Sequence, residues 1–70
     1  MEVRMASLGE AYPQEQSRCR ELLRQYEAIG ASGWFGKAVI EDVLSRADKA
    51  AVAGDIVIML RVYQEMKALK

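Results

Sequence analysis

Seventy residues with ten basic and ten acidic side chains, and so no formal net charge, make one small domain. The balance excludes a general nucleic-acid binder, which needs a concentrated basic face, and an acidic mimic of DNA. One cysteine and no histidine exclude an internal disulfide and a zinc site, which leaves oligomerisation as the means by which so small a core gains stability.

Residues 1–11 show weak periodicity. Ser7 and Glu10 fit a capping box that closes one short turn, and the rest reads as a loose arm or one that packs on a partner. Pro13 suits the first turn of a helix, where its missing N–H costs nothing. Helix 1 is therefore expected over 13–29. Cys19, Leu22, Leu23, Tyr26 and Ile29 recur at three- and four-residue steps on one apolar face, and Gly30 follows as a cap. Arg18, Arg20 and Arg24, interleaved with Glu15, Glu21 and Glu27, read as a solvated mixed-charge flank.

Helix 2 is expected over 33–53, with Ser32 as its N-cap. Phe35, Val39, Val43, Ala47 and Ala50 mark one stripe, which Ala38, Ile40, Leu44 and Ala51 widen. Asp42 and Arg46 form a favourable i,i+4 pair. Gly54-Asp55 is the cleanest boundary: the glycine ends helix 2 and the acid caps helix 3. Helix 3 is expected over 55–69, with a core stripe of Ile56, Met59, Leu60, Tyr63, Met66 and Leu69 and a second apolar side at Ile58 and Val62. A helix with two apolar sides meets two neighbours. The expected fold is thus all-α, a single domain of three helices over 1–70. In it the hairpin of helices 2 and 3 builds a homo-oligomeric bundle.

The stretch Gly33-Trp34-Phe35-Gly36-Lys37 holds the only Trp and the only Phe. A glycine-rich turn opening a helix exposes backbone N–H groups beside the positive end of a dipole. It is not a Walker A loop: Ala31 stands where the first glycine belongs, Ala38 replaces the Ser/Thr after the lysine, and no strand precedes it. A nucleotide held without hydrolysis fits instead. Ser32, Gly33, Trp34, Phe35, Gly36 and Lys37 would form the ligand site, with Trp34 or Tyr12 stacking on the base and Lys37 or Arg61 beside the phosphate. The plainer reading is that the glycines let two helices turn tightly while Trp34 and Phe35 plug the core. Catalysis has no support, because general-base work without histidine would fall to carboxylates placed where soluble helices normally carry them. No cofactor or metal is expected, and the apolar runs are too short for a membrane span.

The run Tyr26-Glu27-Ala28-Ile29-Gly30-Ala31-Ser32-Gly33-Trp34-Phe35-Gly36, with Tyr63-Gln64-Glu65-Met66-Lys67 near the end, resembles a group of small helical phage and prophage proteins. In that group a Tyr-Glu-Ala-Leu/Ile-Gly stretch leads into a Gly-x-Phe-Gly turn. The glycine-aromatic turn is also similar in layout to phage anti-CBASS sponge proteins, small helical oligomers that sequester cyclic nucleotide immune signals between subunits. The resemblance implies a cytoplasmic protein of the bacterial host that counters defence by binding a small nucleotide signal. The alternative is a module that binds and inhibits a host protein through an exposed apolar helix face, with Trp34 and Phe35 as anchors.

Overall fold

The computed structural model of the chain describes the backbone of residues 2–70 and the side chains of residues 8–70. Three helices follow one another: α1 Glu2–Ile29, α2 Trp34–Ala53 and α3 Ile56–Ala68, with a 3₁₀ turn Ala31–Gly33 leading into α2. The all-α expectation holds, with no strand among the described residues.

The first helix is longer than the sequence suggested. It includes the stretch expected to be an arm and carries Pro13 in its interior. A proline there withholds one N–H and crowds the carbonyl four residues back, here that of Gly9. Both residues are exposed, so water can serve that carbonyl. Ser7 lies inside α1, so no helix starts there. The side chain needed for its capping box lies outside the described residues. At about 1.5 Å per residue, the 28 residues of α1 account for the 43 Å long axis of the molecule.

The second connection forms as expected. Gly54 adopts the left-handed conformation (φ 69°), Asp55 N–H reaches back to Ala50 O at 3.1 Å and Gly54 N–H to Ala51 O at 3.2 Å. These two bonds close a Schellman end. The Asp55 carboxylate then accepts from Ile58 N–H at 3.2 Å, capping α3.

The core lies between all three helices. Its buried members are Tyr12 and Cys19 from α1, Ile40, Val43, Leu44 and Ala47 from α2, and Val62 and Met66 from α3. Leu22, Leu23, Tyr26, Met59 and Tyr63 pack around them. Cross-contacts fix the directions: Tyr12 Oη donates to Ala47 O at 2.8 Å, Cys19 lies against Met66 O, and Tyr26 Oη donates to Lys70 O at 2.9 Å. Ascending residue numbers pair along α1 and α3, so these two run parallel and α2 runs back between them.

Two stripes are phased differently from the sequence reading. Gly33, just before α2, and Gly36, Ile40, Val43, Ala47 and Ala50 on it face inward in steps of three and four, with Leu44 buried beside them, whereas Phe35 and Val39 face out. On α3 the buried centre is Val62 and Met66, with Ile58 beside them, while Ile56 and Leu60 are exposed. Ile29, expected on the apolar face of α1, is also exposed.

The charged flank of α1 ties the helices together. The Arg18 guanidinium donates to Met66 O at 2.6 Å and Leu69 O at 3.0 Å, capping the end of α3. Arg20 meets both oxygens of Asp48 at 2.9 Å. Arg46 pairs with Asp42 as expected, and also with both oxygens of Glu65 across the α2–α3 seam. That pairing holds the Glu65 carboxyl below the usual carboxylate range. No described helix is long and apolar enough to cross a membrane.

Candidate interaction site at the α1–α2 turn

The glycine-aromatic turn is built on Tyr26. Gly30 takes φ 89°, a conformation open to glycine, and swings the chain out of α1. Gly33 N–H then donates to Gly30 O at 2.9 Å and Trp34 N–H to Ala31 O. Gly33 passes so close to α1 that a Cβ on it would lie 2.7 Å from the Tyr26 carbonyl oxygen. One turn on, the Tyr26 ring lies across Gly36, where a Cβ would meet Cε2 at 2.3 Å. The glycines therefore hold the inward places at the N-cap and first turn of α2, with the α1 backbone and Ile29 against Gly33 and the Tyr26 ring over Gly36.

This phase decides where the aromatics go. With 33 and 36 inward, 34 and 35 fall on the flank and back of the helix. Trp34 is 66% exposed and Phe35 69%. They touch each other edge to face, ring centroids 6.1 Å apart and planes at 89°. Exposed Ile29 lies beside Gly33, and Val39 stands one turn beyond Phe35. The plug reading thus divides: the glycines do turn the helices tightly, and the aromatics do not close the core.

The eight residues singled out from the sequence do not come together. Tyr12 is 2% exposed, stacks on Tyr63 and lies 14 positions before Tyr26 on α1, about 21 Å along the helix. Burial raises the pKa of its phenol. It is a core residue and offers no face to a base. Arg61 lies beside Lys49 and Ala50, toward the other end of α2. Ser32 sits in the 3₁₀ turn and is not the N-cap of α2; Gly33 holds that position with no side-chain cap. Lys37 faces Glu27 at 3.9 Å, a solvated pair of small energetic weight. Gly33, Trp34, Phe35, Gly36 and Lys37 remain adjacent, but the 3₁₀ lead-in uses two of the N–H groups at this helix start, those of Gly33 and Trp34.

No family model matches the chain, and neither a curated protein nor a solved structure matches it.

Sequence reasoning missed the seat of Tyr26 and the exposure that follows from it. The signal was present in the spacing. Gly33 and Gly36 continue the three-four rhythm of Ile40, Val43, Ala47 and Ala50, but glycines are not counted as apolar positions when a stripe is sought.

Proposed function

We propose that the protein is a non-catalytic binding module that engages a protein surface through Trp34 and Phe35, with Ile29 and Val39 at the margin. The observation that carries this reading is the exposure of the Trp and the Phe side by side in a chain that packs its core with other residues. Large aromatics held on a fixed helix start make anchors of low entropic cost, as hot-spot residues do. Two such side chains, about two-thirds exposed, offer roughly 200–330 Å² for burial, or about 5–8 kcal/mol of gross apolar gain. Association itself costs about 4–15 kcal/mol, so the pair needs further matching surface to hold a partner.

A nucleotide ligand has less to rest on, because Tyr12 is inside the core and Arg61 lies far from the turn. One experiment weighs the two. The protein and a Trp34→Ala/Phe35→Ala variant are used for quantitative affinity capture from a bacterial lysate. Calorimetric titration with cyclic and ADP-ribose-type nucleotides runs beside it. The expected result is a bound protein, reduced at least tenfold by the double substitution, and no heat from nucleotides. Identical captured sets would refute the aromatic surface. Nucleotide heat lost in Lys37→Ala would establish the nucleotide reading in its place.

A further inference from the structure

α3 ends at Ala68, and Leu69 leaves it in an extended conformation (φ −74°, ψ 137°). The tail Leu69–Lys70 then lies against α1. The Leu69 side chain packs on the core. The Leu69 carbonyl and that of Met66 accept from the Arg18 guanidinium at 3.0 Å and 2.6 Å. The Lys70 carbonyl accepts from Tyr26 Oη at 2.9 Å. Two long side chains of α1 thus reach the end of α3 from positions about 12 Å apart along their helix.

Of these two, Tyr26 also touches the start of α2. Its carbonyl oxygen lies against Gly33, its ring lies across Gly36, and its hydroxyl holds the tail. A tyrosine on a helix surface has more than one rotamer open to it. The bond to Lys70 O favours the rotamer that lays the ring over Gly36. That ring in turn sets the first turn of α2, on which Trp34 and Phe35 stand.

We propose that the tail Leu69–Lys70 positions the aromatic face: clamped by Arg18, it keeps Tyr26 on Gly36 and so holds Trp34 and Phe35 in one orientation. Arg18 and Tyr26 are positioning residues, acting on the face through the tail and the turn. For function this rests on the aromatic pair being a protein-binding surface. Two anchors on a fixed turn lose less freedom on binding than two on a fraying one. The coupling is reciprocal: a partner that engages the face firms the tail, and a loosened tail weakens the partner's hold.

Backbone amide exchange followed by NMR tests this with Tyr26→Phe, Arg18→Met and Arg20→Met. Tyr26→Phe keeps the ring and removes the donor. Arg18→Met keeps the aliphatic stem and releases the Met66 and Leu69 carbonyls. Arg20→Met is the control, because it breaks the pair with Asp48 on the same helix and leaves the tail alone. The Gly33 and Trp34 N–H groups bond to Gly30 O and Ala31 O and report on the turn. They should exchange roughly two- to tenfold faster in Tyr26→Phe and in Arg18→Met, the size of one net hydrogen bond, and at the parent rate in Arg20→Met. Tyr26→Phe made in an Arg18→Met background should add less than it does alone. Time-resolved anisotropy of Trp34, the only indole, should show faster local motion in the same two variants. Far-UV circular dichroism checks that all of them stay helical. Parent exchange rates at Gly33 and Trp34 in Arg18→Met, or an equal rise in Arg20→Met, overturn the proposal. Affinity capture tests the surface separately: if exchange responds as expected while Trp34→Ala/Phe35→Ala captures the same proteins as the parent, the positioning stands and the binding-surface reading falls.

Discussion

Gly36→Ala is the sharpest probe of how the turn is built. On helix propensity alone, alanine for glycine inside α2 stabilises by about 1 kcal/mol. The structure reverses the sign. The new Cβ would stand 2.3 Å from Tyr26 Cε2 and 2.7 Å from Cδ2, so the ring must leave its seat. Its hydroxyl is tied to Lys70 O, and that bond must stretch or break as it moves. Overpacking of this kind costs about 1–3 kcal/mol. Set against the propensity gain, the net effect is a loss of roughly 0–2 kcal/mol. A double-mutant cycle isolates the clash, because in a Tyr26→Ala background Gly36→Ala has nothing to strike and should stabilise. The coupling between the two changes is then about 1–3 kcal/mol. Gly9→Ala, with open space around its Cβ, is the control and should stabilise by about 0.5–1 kcal/mol. Urea unfolding followed by circular dichroism reads each value, and 1 kcal/mol shifts Tm by roughly 4–8 °C in a domain of this size. If Gly36→Ala stabilises as much as Gly9→Ala does, the ring is not seated on Gly36, and the argument for outward aromatics goes with it.

Gly33→Ala should be worse than Gly36→Ala in the same unfolding assay, because its Cβ meets the backbone oxygen of Tyr26, which cannot swing aside. The Trp34→Ala/Phe35→Ala variant should change unfolding stability by less than about 0.5 kcal/mol per site, as exposed positions do; a large loss would mean that the aromatics support the core. Tyr12→Phe removes the hydroxyl that donates to Ala47 O and should cost about 0.5–1.5 kcal/mol. Burial raises the pKa of the Cys19 thiol from its usual 9.0 and that of Tyr12 from 10.0. A raised folded-state value means stability that is whole below the unfolded pKa and lost as pH rises through the folded one. Tm should therefore decline above about pH 9, with an onset blunted in Cys19→Ala. Glu65 works in the other direction. Its folded pKa is depressed by Arg46, so its contribution is present above the ordinary carboxylate value and lost as pH falls through the folded one. Glu65→Gln should flatten the acid limb of a Tm profile taken from pH 6 to pH 3.

What the sequence determined by itself is local. The helices follow from apolar periodicity, and the Gly54-Asp55 junction was legible because its bonds join residues within six positions of one another. The Asp42–Arg46 pair was legible for the same reason. Weak periodicity over residues 1–11 and a proline suited to a first turn place the start of helix 1 at Pro13 in the sequence, whereas packing of Leu8 and Tyr12 on the core carries the helix through it. The tertiary structure decided the rest. Tyr26 on one helix chose which side of the next would turn inward, and two glycines took the places that size alone assigned to Phe35 and Val39. That rotation put Trp34 and Phe35 in solvent, and the packing of α3 placed Arg61 beside Lys49 and Ala50, away from the turn. Neither follows from spacing along the chain, because each depends on the shape of a neighbour that the local sequence does not contain.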